Sequence, residues 1–174
     1  MTREEIRTVT LSKARLGQGM TVWDIGSGTG SISVEAARMT PGGKVYAVEK
    51  TDEGCRLTGE NCLRFGVENV QVVPGEAPMA LENLPPPHRV IIGGSGGHIR
   101  EIIMAAGKRM LPGGRMVVNA VTLETLTSSL DFLGNAWETE IVHVSVSKAK
   151  MMGESRLMKA FNPVYIISAW KCGV

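Results

Sequence analysis

Thr21-Val-Trp-Asp-Ile-Gly-Ser-Gly-Thr-Gly30 decides how the rest of this chain is read. Val22, Trp23 and Ile25 make an apolar run of the kind seen in a parallel strand covered on both faces. The glycines at 26, 28 and 30 then swing the chain into a helix expected from Ser31. Such a turn lets a ligand lie against bare backbone, and the helix beyond it presents unpaired N–H groups. The stretch is therefore a ligand cradle.

Two details narrow the ligand. The spacing is Asp-x-Gly-x-Gly-x-Gly from Asp24, not the Gly-x-Gly-x-x-Gly of dinucleotide sites, and a carboxylate at Asp24 would repel a pyrophosphate but suit a sulfonium or an ammonium. Lys44-Val-Tyr-Ala-Val-Glu49 is a second strand ending in an acid, about twenty residues past the glycines, where a carboxylate can accept hydrogen bonds from a ribose diol. Asp24, Gly26, Ser27, Gly28, Thr29, Gly30 and Glu49 together resemble the cofactor half of the class I S-adenosylmethionine (SAM) methyltransferases. That resemblance implies an α/β, doubly wound, Rossmann-like sheet of seven strands, mostly parallel.

The bulk composition agrees with one domain over residues 1–174: the chain is 43% apolar and 21% charged, enough for a full core. A net charge of +2 is too small for a general nucleic-acid binder, so no nucleic-acid partner is expected. No apolar run reaches the length of a membrane span, and Thr2-Arg-Glu-Glu-Ile-Arg7 has no secretory apolar core, so no membrane contact and a cytoplasmic location are expected. Cys55 and Cys62, seven apart on one helical face, and Cys172 near the end read as reduced thiols. His88, His98 and His143 are scattered over a loop, a helix start and a strand, so no metal site is expected.

Upstream of the cradle, Thr2-Arg-Glu-Glu5 has the form of a capping box, with Thr2 as N-cap and Glu5 reaching back to it, opening a helix through Ala14. Its other faces carry Arg3, Arg7, Lys13 and Arg15, either as a solvated basic surface or as ligand contacts. Downstream, Thr51 to Phe65 is a second crossover helix ended by Gly66. Asn69 to Val73 is a third strand, followed by a turn holding Glu76 and Ala77. Arg89 to Ile92 is a fourth strand that runs into Gly93-Gly-Ser-Gly-Gly97.

Ligands in open α/β sheets bind beyond the carboxyl ends of the strands, so these glycines should stand beside the cofactor. They leave room for something wide and flat, with Ser95 the one side chain able to hydrogen-bond. His98 reads as an exposed helix start and not a catalyst. Arg115 to Asn119 is the fifth strand, ending with Asn119 on the ligand side, and Leu123, Leu126, Leu130 and Leu133 stripe the helix after it.

No helical crossover fits between the last two strands, Glu138 to Ser147 and Val164 to Trp170, so they read as an antiparallel C-terminal hairpin. Between them Lys148 to Asn162 reads as a long loop, holding Lys148, Lys150, Arg156 and Lys159 against Glu154. A basic loop of that length suits a polycarboxylate substrate, or is a solvated tip.

Met1-Thr-Arg-Glu-Glu-Ile-Arg7, Trp23-Asp-Ile-Gly-Ser-Gly-Thr-Gly-Ser31, Gly93-Gly-Ser-Gly-Gly97, Val118-Asn-Ala-Val-Thr-Leu-Glu-Thr125 and Asn162-Pro-Val-Tyr165 resemble the CbiT-type family of cobalamin (vitamin B12) biosynthesis. Its members are decarboxylating methyltransferases acting on precorrin-6B or its cobalt form, and the resemblance covers nearly the whole chain. It implies methyl transfer from SAM to carbon 15 of an anionic tetrapyrrole, loss of carbon dioxide from the acetate at carbon 12, S-adenosylhomocysteine as product, and a tetrameric homo-oligomer.

Carried over by position, the cofactor contacts are Thr2, Gly26 to Gly30, Glu49 and Ala77, with Glu76 toward the adenine amine and Gly93 alongside. Arg3, Lys13, Lys148, Arg156 and Lys159 are candidates for the substrate carboxylates. Ser95, Asn119 and Glu124 are candidates near the reacting atoms. The competing reading is a tRNA or protein methyltransferase of the same fold. That acceptor needs a charged or stacking platform, and the three Trp, two Tyr and three Phe fall mostly in apparent core strands. The absence of a partner domain fused to the chain favours the cobalt form of the substrate.

Overall fold

The glycine turn sits where the strand order of the sheet reverses. The computed structural model describes residues 2–171. Among these, α1 (Glu4–Ala14) leads into β1 (Thr21–Ile25), followed by α2 (Ser31–Met39), β2 (Lys44–Glu49), α3 (Asp52–Phe65) and β3 (Val70–Pro74). The second half runs through β4 (Arg89–Ile92), α4 (Ile99–Arg109), β5 (Arg115–Ala120) and α5 (Leu123–Leu133). It ends in β6 (Trp137–Val144), β7 (Ser147–Met152), β8 (Ser155–Ala160) and β9 (Val164–Lys171).

The described residues form a seven-stranded sheet in the order β3-β2-β1-β4-β5-β9-β6, and β7-β8 form a separate two-stranded ribbon. The first five strands of the large sheet pair in parallel, while β9 pairs antiparallel with both β5 and β6. This is the doubly wound, mostly parallel sheet with an antiparallel C-terminal pair that the sequence implied.

Alternation along each strand divides the core. Val22, Val45, Ile91 and Val117 pack under Ile6 and Leu11 of α1 and Ile32 and Ala36 of α2. Trp23, Tyr46, Val90 and Met116 pack on the other face, under Ile102, Ile103 and Ala106 of α4 and Leu133 of α5. All six residues of β5 are buried, as expected of a strand with helices above and below.

Gly26 lets the exit of β1 lie against that of β4, and Gly30 lets the turn lie against α3. Gly26 has φ +72°, and a Cβ there would lie 2.6 Å from the Gly94 carbonyl oxygen. Gly30 has φ +71°, and its Cβ would lie 2.6 Å from the Thr58 side chain. Both positions therefore need glycine for close approach as well as for backbone angle.

Three expectations are corrected. The capping box at Thr2 does not form: α1 starts at Glu4 with Arg3 in the N-cap position and no side-chain cap bond among the described residues. Glu5 is held instead by Lys148 at 2.7 Å, and the Thr2 carbonyl accepts from Arg7 Nη1 at 3.1 Å. The helix begins one residue later than the box requires, so Thr2 is not its N-cap.

The stretch from Lys148 to Asn162 is not a loop but mostly the β7-β8 ribbon, with Met152 opposite Ser155 across the two-residue turn Gly153-Glu154. Gly153 supplies φ +62°, the backbone angle such a tight hairpin turn requires. Finally, Leu123 does not join the core stripe of α5: it is 66% exposed, whereas Leu133 is 1% exposed.

Among the described residues no helix is long and apolar enough to cross a membrane. No group of three His, Cys, Asp or Glu among them is placed to hold a metal ion. Cys55 is half-buried and Cys62 buried, both free, while Cys172 lies outside the described residues.

Candidate active site

Glu49 organises the exits of β1 and β2. Its Oε2 accepts the Gly28 N–H at 2.9 Å, and its Oε1 accepts the Thr51 N–H at 2.9 Å and the Thr51 hydroxyl at 2.7 Å. Thr51 in turn caps α3, accepting the Gly54 N–H at 3.1 Å. Burial pushes the Glu49 carboxyl up, but the hydrogen bonds from Thr51 and from the main chain of Gly28 and Lys50 outweigh it and hold the group below the usual carboxylate range.

Asp24 sits beneath the turn with no exposed surface. Its Oδ2 accepts the Ser33 hydroxyl at 2.5 Å, and its Oδ1 has no partner among the described residues. Burial, opposed by the Ser33 hydrogen bonds and reinforced by the charge of Glu49, pushes its pKa up to about 6. The residue therefore acts on the turn from below and not through surface in the cleft.

Three cavities line the strand exits. The first, about 170 Å3, has Ile25, Val48, Ala77 and Ile102 as apolar walls and Glu49, Glu76 and Ser95 as polar groups. Glu76 reaches Lys50 across its rim at 3.1 Å, a half-exposed pair that contributes little stability. The second, about 360 Å3, lies in front of the turn, floored by Gly26 to Thr29 and walled by Thr2, Arg3, Asn119 and Val121.

The buried Ser27 Oγ, Thr29 Oγ1 and Asn119 Nδ2 have no hydrogen-bond partner among the described residues, and all three residues line this second cavity. Leaving such groups unpaired costs about 1–3 kcal/mol each, so the cavity is built for a polar ligand. The third, about 140 Å3, is an apolar slot walled by Ile92, Ile99, Val118 and Val121, with Ser95 and Asn119 at its edge. Gly26 lines the first two cavities and Gly93 the last two, so the three adjoin along the strand exits.

The candidate basic groups separate. Arg3 stacks on Phe161 at 4.3 Å and lines the second cavity, and a neighbouring pocket brings Arg3, Arg7 and Lys148 together. Lys13 lies ten residues along α1 from Arg3, roughly 15 Å at 1.5 Å per residue, and pairs with Glu140 of β6. It is not brought to the cleft. On the ribbon, Lys159 stands opposite Lys148, while Arg156 stands opposite Met151 and so projects from the other face. Glu124 is exposed in the first turn of α5 and lines none of the three cavities.

Sequence reasoning did not single out Ile6, Lys50, Val121 or Val164 as site residues, yet each lines the cleft. Lys50 and Val121 immediately follow the ends of β2 and β5, and that position was the available signal.

The family model described as the precorrin methyltransferase domain matches residues 1–172. The chain is 43% identical over 173 residues to a protein of Pyrobaculum calidifontis named a probable cobalt-precorrin-6B C(15)-methyltransferase (decarboxylating), covering 98% of this chain and 88% of that one. It superposes on the crystal structure of precorrin-6y C5,15-methyltransferase from Geobacter metallireducens with a TM-score of 0.93 at 43% identity, over 99% and 90% of the two chains. The structure of the Methanobacterium thermoautotrophicum precorrin 8W decarboxylase matches with a TM-score of 0.92 at 30% identity, over 98% and 91%. Matched nearly end to end by the family model, this chain belongs to the precorrin methyltransferase family.

Proposed function

We propose that this protein is a SAM-dependent, decarboxylating cobalt-precorrin-6B C(15)-methyltransferase of corrin-ring biosynthesis. The observation that carries the reading is a pair of adjoining cavities: a polar one over the glycine turn lies beside an apolar slot, both bordered by Val121, which is 65% exposed. A cofactor fits the first part and the edge of a flat ring the second.

The residues present fit SAM. Main chain of Gly26 to Gly30 and the unpaired hydroxyls of Ser27 and Thr29 suit its amino-acid end, with Thr2 and Gly93 alongside. Glu49, whose Oε2 retains acceptor capacity beyond the Gly28 bond, suits the ribose. Ala77 and Ile102 would flank the adenine, and Glu76 would reach its amine on leaving Lys50. Asp24 holds negative potential beneath the turn. Bound SAM supplies an electrophilic methyl group.

The protein's own contribution is position and exclusion of water. Val121, Leu123 and Val164 would bear against the ring, while Arg3 and, on leaving Glu5, Lys148 would pair with its carboxylates, and Lys159 extends the basic face of the ribbon. Carbon 15 of the substrate, enamine-like, would accept the methyl group that the cofactor would supply, and the ring would be left as a conjugated cationic imine. That cation accepts the electron pair released when the C–CO2 bond of the acetate breaks. The macrocycle serves as its own electron sink, so no covalent nucleophile is required of the chain.

The protein acts as a homo-oligomer, a tetramer, in the cytoplasm. Met151 and Met158, 56% and 67% exposed, share one face of the ribbon and form a surface that a second copy would cover, while Met152 and Leu157 lie on the other face with Lys148 and Lys159.

Incubating the purified protein with SAM and cobalt-precorrin-6B tests the activity: the product mass should show one methyl gained and one carbon dioxide lost. Methyl transfer to RNA or protein with the tetrapyrrole unchanged would overturn the reading. Rapid carbon dioxide release without SAM would overturn the order of steps.

A further inference from the structure

Asn119 stands near the end of β5 and faces α1, where the Thr10 hydroxyl lies 2.9 Å from its Oδ1. Thr10 has no exposed surface, and Asn119 is 8% exposed. The same hydroxyl lies 2.8 Å from the Ile6 carbonyl oxygen. That carbonyl already takes a main-chain N–H in the helical pattern, whereas Asn119 Oδ1 has no second donor among the described residues. The hydroxyl is within reach of both oxygens, and it is the one donor to Oδ1 among the described residues.

A planar carboxamide held by its oxygen must turn its NH2 the other way. Asn119 Nδ2 has no partner among the described residues, and Asn119 lines both the polar cavity and the apolar slot. A neutral donor, almost wholly buried, thus sits at the junction where cofactor and ring meet.

We infer that Asn119 and Thr10 form a carboxylate receptor in the cleft: Asn119 Nδ2 donates to a ligand carboxylate oxygen, and Thr10 is the positioning residue that sets which end of the amide faces the ligand. The inference rests on the methyltransferase reading. Two ligands there carry carboxylates, the methionine end of the cofactor and the side chains of the tetrapyrrole. A charged guanidinium at the same place would hold a carboxylate more tightly but would also stabilise it against loss of carbon dioxide, and an amide orients it with less of that penalty.

The test compares wild type, Thr10→Val, Thr10→Ser and Asn119→Asp. Each is measured for S-adenosylhomocysteine affinity by calorimetry, for KM and kcat with the tetrapyrrole, and for melting temperature. Thr10→Val removes the hydroxyl at nearly constant volume and should weaken one carboxylate ligand about fivefold to tenfold, with kcat less affected. Thr10→Ser should restore the wild-type value.

Asn119→Asp keeps the shape but presents an acceptor to the carboxylate, and it should be worse than Thr10→Val for the same ligand. A rise in tetrapyrrole KM alone assigns the receptor to the ring, and a loss of S-adenosylhomocysteine affinity alone assigns it to the cofactor; both support it. Unchanged constants in Thr10→Val, or wild-type behaviour of Asn119→Asp, would overturn it. Failure of wild type itself to bind S-adenosylhomocysteine would instead sink the methyltransferase reading.

Discussion

Glu49 Oε2 accepts the Gly28 N–H at 2.9 Å, so the acid that ends β2 shapes the turn that ends β1. The same carboxylate holds Thr51 at the start of α3. One side chain thereby fixes the spacing between the two strand exits that border the first cavity.

Glu49→Gln should expose that dependence. Replacing a charged acceptor by an amide removes hydrogen bonds of about 1.5–3 kcal/mol to charged groups, so S-adenosylhomocysteine affinity should fall by about tenfold or more. Calorimetry measures the loss, and thermal unfolding should register a lower melting temperature alongside it.

Gly26→Ala and Gly28→Ala should separate packing from binding. The Gly26 Cβ would meet Gly94 backbone at 2.6 Å, so this variant should lose stability by about 1–3 kcal/mol from clash and backbone strain together. Gly28 has φ +58° with nothing within 4 Å of a Cβ, so its variant should lose only about 1 kcal/mol. Its methyl would enter the cavity, and S-adenosylhomocysteine affinity should suffer more than folding does. Urea denaturation and calorimetry on both proteins check the contrast.

Asp24 should leave a mark on the pH dependence of stability. Its pKa is raised from 3.8 to about 6 in the fold, so between those values the folded state binds more protons than the unfolded chain. This group's contribution therefore falls as pH rises from about 4 to about 6, by roughly 3 kcal/mol in all, and is flat above. Glu49, with its lowered pKa, contributes in the opposite sense. Asp24→Asn isolates the first effect: urea midpoints between pH 4.5 and pH 7.5 should lose the Asp24 slope, with the largest gain over wild type near neutrality.

Arg3 and Lys13 should behave differently although both lie on or beside α1. Arg3 lines the cleft, so Arg3→Ala should raise the KM for the tetrapyrrole by about tenfold, with a smaller effect at high salt. Lys13 pairs with Glu140 away from the cleft, so Lys13→Ala should leave KM unchanged. Steady-state kinetics at two ionic strengths decides between them.

Met151→Lys together with Met158→Lys should shift the assembly toward smaller species in light scattering, since each places a charge on a face of the ribbon. An unchanged mass would remove the ribbon from the proposed tetramer contact.

The Asp-x-Gly-x-Gly-x-Gly spacing, the Gly93-Gly-Ser-Gly-Gly97 run and the alternation of apolar residues announced the sheet, its parallel half and its antiparallel end before any coordinates. The family followed from the same stretches and is borne out by the match over residues 1–172. The ribbon was legible in principle, because Gly153-Glu154 is a two-residue hairpin turn, but both its faces are exposed, so no alternation of apolar and polar residues marks its strands. The capping box at Thr2 failed because α1 starts one residue later with Arg3 as its N-cap, and Glu5 pairs with Lys148, 143 residues downstream.

What the sequence determined alone is therefore what short range controls: strand period, helix stripes, and turns that glycine alone can make. Only the tertiary structure decided that Asp24 lies under the turn while Glu49 braces it, that Lys13 and Arg3 part company, and that Thr10 meets Asn119 across 109 residues. Such pairings depend on strand register, helix rotation and rotamer at once, and no pattern along the chain encodes all three.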